Sequence, residues 1–312
     1  MPRAPVHFGV TLPQIKRTWA EAHDAAVELE ALGFDSLWVC DHLQGVPAPQ
    51  LDILEAWTLL GAVAAVTSRV ELGTLVTPPG FRPAAVLAKQ AATVDAVAGG
   101  RVVVGLGSGW AEREFAAYGL PFPSVPERME ALAETAVLLR RLWTEERVTF
   151  SGRWVQADDA WCQPKPPRRL PLLVGGSGER LLLRVAAEHA DIWNNTSTTQ
   201  GELGHKIEVL RRHCAAVGRD PDEITVSQQC NVVLAADEDT AREALAKAAR
   251  LYGPEVGAGL ERHGIWGTPD QVIAAIERHI ALGCRHFVME LFGRDTRIPA
   301  RLFATEVLPA FR

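Results

Sequence analysis

Gly99-Gly100-Arg101-Val102-Val103-Val104-Gly105-Leu106-Gly107-Ser108-Gly109-Trp110 carries the strongest fold signal in this chain. Two glycines make a reverse turn, an apolar run makes a buried strand, and a glycine-rich loop then opens onto charged residues. The glycines Gly105 and Gly107, followed by Ser108 and by the small residue Ala111, invite a nucleotide reading, because glycine lets backbone approach a phosphate. A dinucleotide fingerprint belongs, however, to a compact strand-loop-helix unit followed by a ribose-binding acid. Here the motif comes after three earlier strand-helix pairs. It reads instead as the ligand-facing end of one strand in a barrel.

The same alternation runs along the chain. Strands are expected over 6–12, 35–40, 70–76, 102–106, 170–174, 191–193, 224–234 and 286–291. Helical periodicity falls between them: a segment entered at Thr18 or Asp24, then 53–66, 83–97, 127–143, 179–188, 202–217 and 238–251. A further helix starts at Thr268-Pro269-Asp270, after a glycine-rich connection. The rhythm breaks over 144–170, which reads as an excursion with a short hairpin and a proline-set return. About eight strand-helix repeats are the number a closed (β/α)8 TIM barrel needs. The strands are nearly continuous apolar runs, as a parallel sheet covered by helices requires. An open doubly wound sheet would leave the second half needing another sheet, and no linker divides the chain. The expected architecture is a single barrel domain over 1–312, with its insertion between the fourth and fifth strands.

Composition narrows the function classes. The 312 residues are 47% hydrophobic and 22% charged, ample for one large core with an ordinary polar surface. A net charge of -6 offers no general attraction to nucleic acid or anionic lipid. No signal-like or membrane-spanning apolar stretch stands out. The five cysteines are dispersed and form no CxxC pair, so reduced thiols and a cytoplasmic location are expected. The nine histidines are scattered without metal-ligand spacing, and Gly107-Ser108-Gly109 lacks the spacing of a serine nucleophile elbow.

In a barrel of this kind the C-terminal strand ends form the reaction face. That collects Asp41-His42, the stretch 74–77, the stretch 107–110 and Gly175-Gly176-Ser177-Gly178 into one pocket. His42 is the strongest polar candidate, since imidazole positions a substrate or moves a proton near neutral pH. A structural loop bond is its plainer alternative. Asp41 has three readings: orienting His42, touching a cofactor hydroxyl, or capping the turn. The 175–178 loop follows a strand and precedes a helix, a context suited to phosphate binding through backbone N–H groups, with a flexible turn as the alternative. Trp110 is read as lining a planar cofactor or its substrate, and Phe115, Tyr118 and Phe122 as loop packing. Glu112 and Glu114 read as solvated charges. Arg82 and Lys89 are candidates to attract an anionic cofactor tail, with surface charge the plainer reading. Trp193-Asn194-Asn195-Thr196 ends a strand within reach of the pocket or bonds its own loop.

Taken together, the chain resembles the bacterial luciferase-like family of flavin- and deazaflavin-dependent oxidoreductases. The resemblance rests on Leu32-Gly33-Phe34-Asp35-Ser36-Leu37-Trp38-Val39 with Asp41-His42, on Arg69-Val70-Glu71-Leu72-Gly73-Thr74, and on Leu87-Ala88-Lys89-Gln90-Ala91-Ala92-Thr93-Val94-Asp95. It continues through 99–110, Glu127-Arg128, Leu142-Trp143, Val174-Gly175-Gly176-Ser177-Gly178 and Ala190-Asp191-Ile192-Trp193-Asn194. It implies a (β/α)8 barrel with an inserted region, often a homodimer, that binds reduced FMN or reduced coenzyme F420. The coenzyme F420-dependent branch is the more similar, through the Asp41-His42, Gly107-Ser108-Gly109 and Gly175-Gly176 contexts.

By that resemblance Asp41 and His42 flank the deazaflavin, with His42 the catalytic candidate. Thr74, Leu75, Val76, Gly107, Ser108, Gly175, Gly176 and Ser177 make up the rest of the cofactor site. Gly175 and Gly176 would reach its phosphate through backbone N–H groups, and the Leu75-Val76 peptide would be a non-proline cis bond. Val46, Trp110 and Trp193 are the candidates for the substrate side, and no metal is expected. The chain departs from the sugar-phosphate dehydrogenases of this branch at two places. It has Trp110 where they carry a catalytic glutamate, and Val46 where they carry an active-site tryptophan. The expected function is hydride exchange between coenzyme F420 and a small organic substrate. The alternatives are an FMN-dependent monooxygenase served by a separate reductase, and a barrel that binds a ligand without turnover.

Overall fold

The computed structural model describes residues 5–46 and 48–312. Elements follow in the order β1 (His7–Thr11), α1 (Trp19–Ala31), β2 (Ser36–Val39), α2 (Ala56–Val66), β3 (Glu71–Thr74), α3 (Ala84–Ala98) and β4 (Val102–Leu106). Next come α4 (Glu112–Ala117), α5 (Val125–Thr144), β5 (Val148–Ser151), β6 (Gln156–Ala160), β7 (Leu172–Gly175), α6 (Leu182–His189), β8 (Ile192–Asn195) and α7 (Leu203–Val217). The chain ends with β9 (Thr225–Leu234), α8 (Glu238–Tyr252), α9 (Pro254–His263), β10 (Ile265–Gly267), α10 (Pro269–Ala281), β11 (His286–Leu291) and α11 (Arg297–Leu302).

The barrel closes through strands in the order β9-β11-β1-β2-β3-β4-β7-β8, with β8 returning to β9. Every pairing in it is parallel, from Phe8 opposite Phe287 round to Trp193 opposite Val226. Alternate side chains along each strand point to opposite faces. Phe8, Val10, Leu37, Leu72, Val104 and Leu172 therefore pack outward against the helices in one large core. A smaller cluster of Trp38, Val103, Leu173 and Val288 plugs the barrel interior. Asn194, Ser227 and His286 add a buried chain of hydrogen bonds, at 2.7 Å from Ser227 to each neighbour. Burial pushes the His286 imidazole down to about 3, with His7 adding to the shift.

Helix boundaries follow local chemistry. Thr18 and Glu21 form a capping box on α1, Ser124 and Glu127 one on α5, and Thr268 and Gln271 one on α10. Gly99 ends α3 in the left-handed region at φ 65°, which explains the turn before β4. The expected excursion contains the antiparallel hairpin β5-β6, and Pro164, after a cis peptide, leads the chain back toward β7.

Three sequence expectations need correction. α2 begins at Ala56 rather than at 53, because Glu55 caps it by accepting from the Thr58 N–H at 2.7 Å. The aromatic stretch after Trp110 is not a loop but holds the short helix α4. The glycine-rich connection before α10 contains α9 and the short strand β10, which pairs with the far end of β9. Leu260 of α9 packs with Val233, Leu245 and Ala248. An element as short as β10 carries too few residues for a periodicity signal. Among the described residues, no helix is long and apolar enough to cross a membrane, and all five cysteines are free.

Candidate active site

The C-terminal ends of β2, β3, β4, β7 and β8 surround a cavity of about 510 Å³. Asp41, His42, Leu75, Val76, Gly107, Ser108, Trp110, Gly175, Gly176 and Ser177 all line it. Residues scattered over a large part of the chain thus meet at the strand ends, as the sequence implies. Val46, Thr74 and Trp193 are not among the lining residues.

The glycines of β4 are explained by the neighbouring strand. After β3 the Leu75-Val76 peptide is cis, as the resemblance implied. The chain then rejoins β4, with the Thr77 N–H donating to Gly105 O at 2.8 Å and the Gly107 N–H to Thr77 O at 3.1 Å. A Cβ on Gly105 would collide with Thr74 O, and one on Gly107 would collide with Val76 Cγ2. Gly175 is similarly confined, its Cβ position lying 2.7 Å from Val76 Cγ1. The pattern that resembles a phosphate fingerprint therefore makes room for the 74–77 segment at the barrel rim. Thr74 itself is buried, and its hydroxyl donates to Gly105 O at 2.9 Å. Its role is to tie β3 to β4, away from the cavity.

Asp41 does not orient His42. Its buried carboxylate receives two bonds from Arg82, at 2.5 and 3.1 Å, and one from the Thr77 hydroxyl at 2.7 Å. Trp57 Nε1 donates in turn to the Thr77 oxygen at 3.1 Å, and Arg82 also reaches Glu55 at 3.2 Å. Arg82 is thus neither surface charge nor a free anion receptor. It neutralises a buried carboxylate, which low-dielectric surroundings demand.

The partner of His42 is Glu114, a residue that reads as a solvated charge from the sequence. Its side chain is only 2% exposed, and Oε2 lies 2.9 Å from His42 Nδ1. Oε1 accepts from the Leu43 and Gln44 N–H groups at 2.5 and 3.1 Å. An ionised carboxylate only accepts, so His42 carries hydrogen on Nδ1 and leaves Nε2 as its exchangeable position. The signal available in the sequence was helical spacing. Phe115, next to Glu114, anchors α4 against Phe81 and Phe122, with ring centroids 4.8 and 5.0 Å away. This turns Glu114 inward. Tyr118, one turn later, donates from its hydroxyl to Leu43 O. Trp110 packs against the His42 ring in an edge-on contact, 5.8 Å between centroids, while remaining 69% exposed at the cavity mouth.

The β7 loop departs from expectation at Gly176. The Gly176 N–H already donates to Asn194 O at 3.0 Å, so it is not available to a phosphate. Among the described residues, the N–H groups of Ser177 and Gly178 have no protein partner. Gly176 adopts φ 139°, a region suited to glycine, and a Cβ there would meet Leu182 at 2.6 Å. Behind the loop, Trp193 is fully buried and donates from Nε1 to Gly176 O at 2.8 Å. Strand parity sends Trp193 into the helix-facing core and its neighbour Asn194 into the cavity wall. Trp193 therefore holds the loop from behind and lines no substrate pocket. Glu179 continues the loop and is held below the usual carboxylate range, chiefly by the Lys206 ammonium at 2.7 Å and also by His205.

Cys40 also borders the cavity, but burial pushes its thiol up to about 12, so it stays protonated and is no nucleophile. Among the described residues no group of three or more His, Cys, Asp or Glu side chains is arranged to hold a metal.

With this geometry in view, the family model for luciferase-like monooxygenases matches residues 4–264. The chain belongs to the luciferase-like monooxygenase family. Its similar relatives include the F420-dependent glucose-6-phosphate dehydrogenase of Microbacterium testaceum, 31% identical with 99% of this chain and 98% of the relative covered. The protein of the same name from Nakamurella multipartita is 32% identical, with 99% and 97% covered. Among solved structures, an F420-dependent secondary alcohol dehydrogenase in complex with an F420-acetone adduct superposes with a TM-score of 0.86 at 25% identity. That match covers 99% of this chain and all of the other, 100%. This luciferase-like chain therefore aligns with such proteins along nearly its whole length.

Proposed function

We propose that the protein is a coenzyme F420-dependent oxidoreductase that exchanges hydride with a small organic alcohol or carbonyl compound. The observation that carries this reading is full-length similarity to several F420-dependent dehydrogenases, joined to a strand-end cavity of suitable chemistry. A volume of about 510 Å³ is within the usual range for a small-molecule site.

The residues present fit a phosphate-bearing cofactor. Two unpartnered N–H groups, at Ser177 and Gly178, sit on a loop that enters α6, and such groups favour an anion. Gly176 keeps the loop close to Leu182 without a side chain in the way. On this reading Ser177 and Gly178 hold the phosphate, Leu75, Val76, Gly107 and Ser108 wall the ring, and Asp41 serves through the Arg82-Thr77 network rather than as a free carboxylate. When bound, coenzyme F420 supplies the hydride chemistry. His42 gives or takes the substrate proton at Nε2, Glu114 holds its ring and tautomer, and Trp110 covers the mouth against water.

Trp110 replaces the glutamate of the sugar-phosphate dehydrogenases, so the proton-handling group left at this wall is the His42-Glu114 pair. That supports an alcohol or carbonyl substrate over transfer of the relatives' named substrate. Five free thiols support a cytoplasmic setting. A second copy packed on the α2-α3 face, where Val86 and Val97 are 48% and 53% exposed, would give the homodimer that the resemblance implies. Light scattering on the purified protein tests that assembly. The main test is anaerobic titration of the protein with reduced and oxidised coenzyme F420, followed by turnover on a panel of alcohols and ketones. Tight FMN binding with no coenzyme F420 binding would overturn the proposal.

A further inference from the structure

Beyond the cavity at His42, the barrel mouth holds two more chambers. An inner one of about 280 Å³ shares Cys40, Leu75 and Gln229 with the first. An outer one of about 690 Å³ shares Pro13, Arg17, Phe292, Gly293 and Thr296 with the inner. The three adjoin in series, and the outer chamber is the largest of them.

The outer chamber combines an apolar wall with surplus positive charge. Leu234, Phe292, Pro299 and Leu302 supply the wall. Its charged lining is Arg17, Arg294 and Arg297 against Glu21 and Asp295. Arg297 is already spent, gripping Asp295 through two bonds of 2.8 Å. The carboxylate of Glu21 caps α1, accepting from the Thr18 N–H at 2.8 Å and its hydroxyl at 3.1 Å, and its charge acts on Arg17 and Arg297 without a direct bond to either. Arg17 donates only to carbonyls, Arg294 O at 2.7 Å and Lys16 O at 3.3 Å. The Arg294 side chain is exposed and, among the described residues, has no ion-pair partner. Three guanidinium groups thus face two carboxylates, leaving one surplus positive charge in an apolar chamber on a chain of net charge -6, with Arg294 the guanidinium that has no ion-pair partner among the described residues. Guanidinium forks suit carboxylate and phosphate groups.

We propose that the outer chamber binds the anionic end of an amphipathic organic acid, the remote part of the substrate. The assignment to substrate rests on the hydride-transfer reading above. The acid group sits on Arg17 and Arg294, its aliphatic body lies along Phe292 and Leu302, and the inner chamber leads toward the reacting end. A compact, fully hydroxylated sugar phosphate matches the charge of this chamber and not its wall.

Calorimetric titration with octanoate, octyl phosphate, 1-octanol and glucose 6-phosphate tests this on the whole protein. Octanoate or octyl phosphate should bind, the tighter of the two identifying the acid group. Binding should weaken roughly tenfold or more in the Arg17→Gln/Arg294→Gln variant, because a charged hydrogen-bonding partner is lost. Octanol should bind weakly and equally to both proteins. The single change Arg294→Gln, at an exposed side chain, should give part of the loss with an unchanged melting temperature. Octanol binding as tightly as octanoate, octanoate binding untouched by the variants, or glucose 6-phosphate matching octyl phosphate would each overturn the proposal. Coenzyme F420 titrations of the same proteins separate the two readings. Cofactor binding without anion binding sinks the chamber assignment alone, and anion binding without cofactor binding sinks the hydride-transfer reading alone.

Discussion

Replacing Glu114 by Gln removes one charge and almost no volume, and it reverses the polarity of the His42 hydrogen bond. The wild-type contact is 2.9 Å long, to a carboxylate only 2% exposed. The Gln carbonyl can still accept from Leu43 and Gln44, so the loop stays held. Its amide then faces Nδ1, which must become an acceptor, and the hydrogen moves to Nε2. A hydrogen bond to a charged group contributes about 1.5–3 kcal/mol. If that is lost where His42 changes protonation, kcat falls about 10- to 150-fold, at about 1.4 kcal/mol per factor of ten. The assay is steady-state turnover on whichever alcohol or ketone the substrate panel identifies, with the coenzyme F420 dissociation constant measured separately. The dissociation constant should be nearly unchanged. The double variant His42→Ala/Glu114→Gln should be no slower than His42→Ala, because Glu114 acts through the imidazole. Wild-type kcat in Glu114→Gln, or full additivity of the two changes, would show that Glu114 does not act through His42.

Three further outcomes are expected. Arg82→Met leaves Asp41 buried without its cation and should cost about 3–5 kcal/mol in denaturant unfolding; a loss below about 1 kcal/mol would mean that Thr77 alone suffices. Gly107→Ala drives a methyl toward Val76 and should cost about 1–3 kcal/mol, with Val76→Ala in the same chain restoring part of it; failure of that rescue would disprove the crowding argument. His286 is held neutral in the fold, its value moved from 6.5 to about 3 by burial. A depressed histidine binds fewer protons in the native state, so its stabilising effect is whole above pH 6.5 and is lost as pH falls toward 3. The loss over that window is roughly 4–5 kcal/mol. Unfolding free energy measured against pH should therefore have a shallower slope in His286→Gln, by about 1.4 kcal/mol per pH unit.

The barrel is legible in the sequence because its signal is repetitive. Eight apolar strands separated by amphipathic helices leave few ways to close a sheet, and the observed strand order is one of them. The strand ends are legible for the same reason, so the order of the elements alone gathers Asp41, His42, Gly107 and Gly175 into one pocket. What escapes is short or depends on parity. β10 is brief, α9 is masked by its glycines, and the face of β8 that carries Trp193 is not settled by so short a strand. Glu114 escapes because a charged residue on a short helix reads as surface until the packing of Phe115 is known.

The glycine-rich stretch at 99–110 marks the division. Its residues by themselves imply a turn, a buried strand and a loop at the strand end, since hydrophobic periodicity and backbone preference are local properties. The reason for its glycines, the carboxylate bonded to His42 and the N–H groups left free emerge only from the folded barrel. Those answers depend on atoms from β3, α4 and β8 meeting within a few ångströms, and such meetings are set by closure of the barrel rather than by neighbours in the chain.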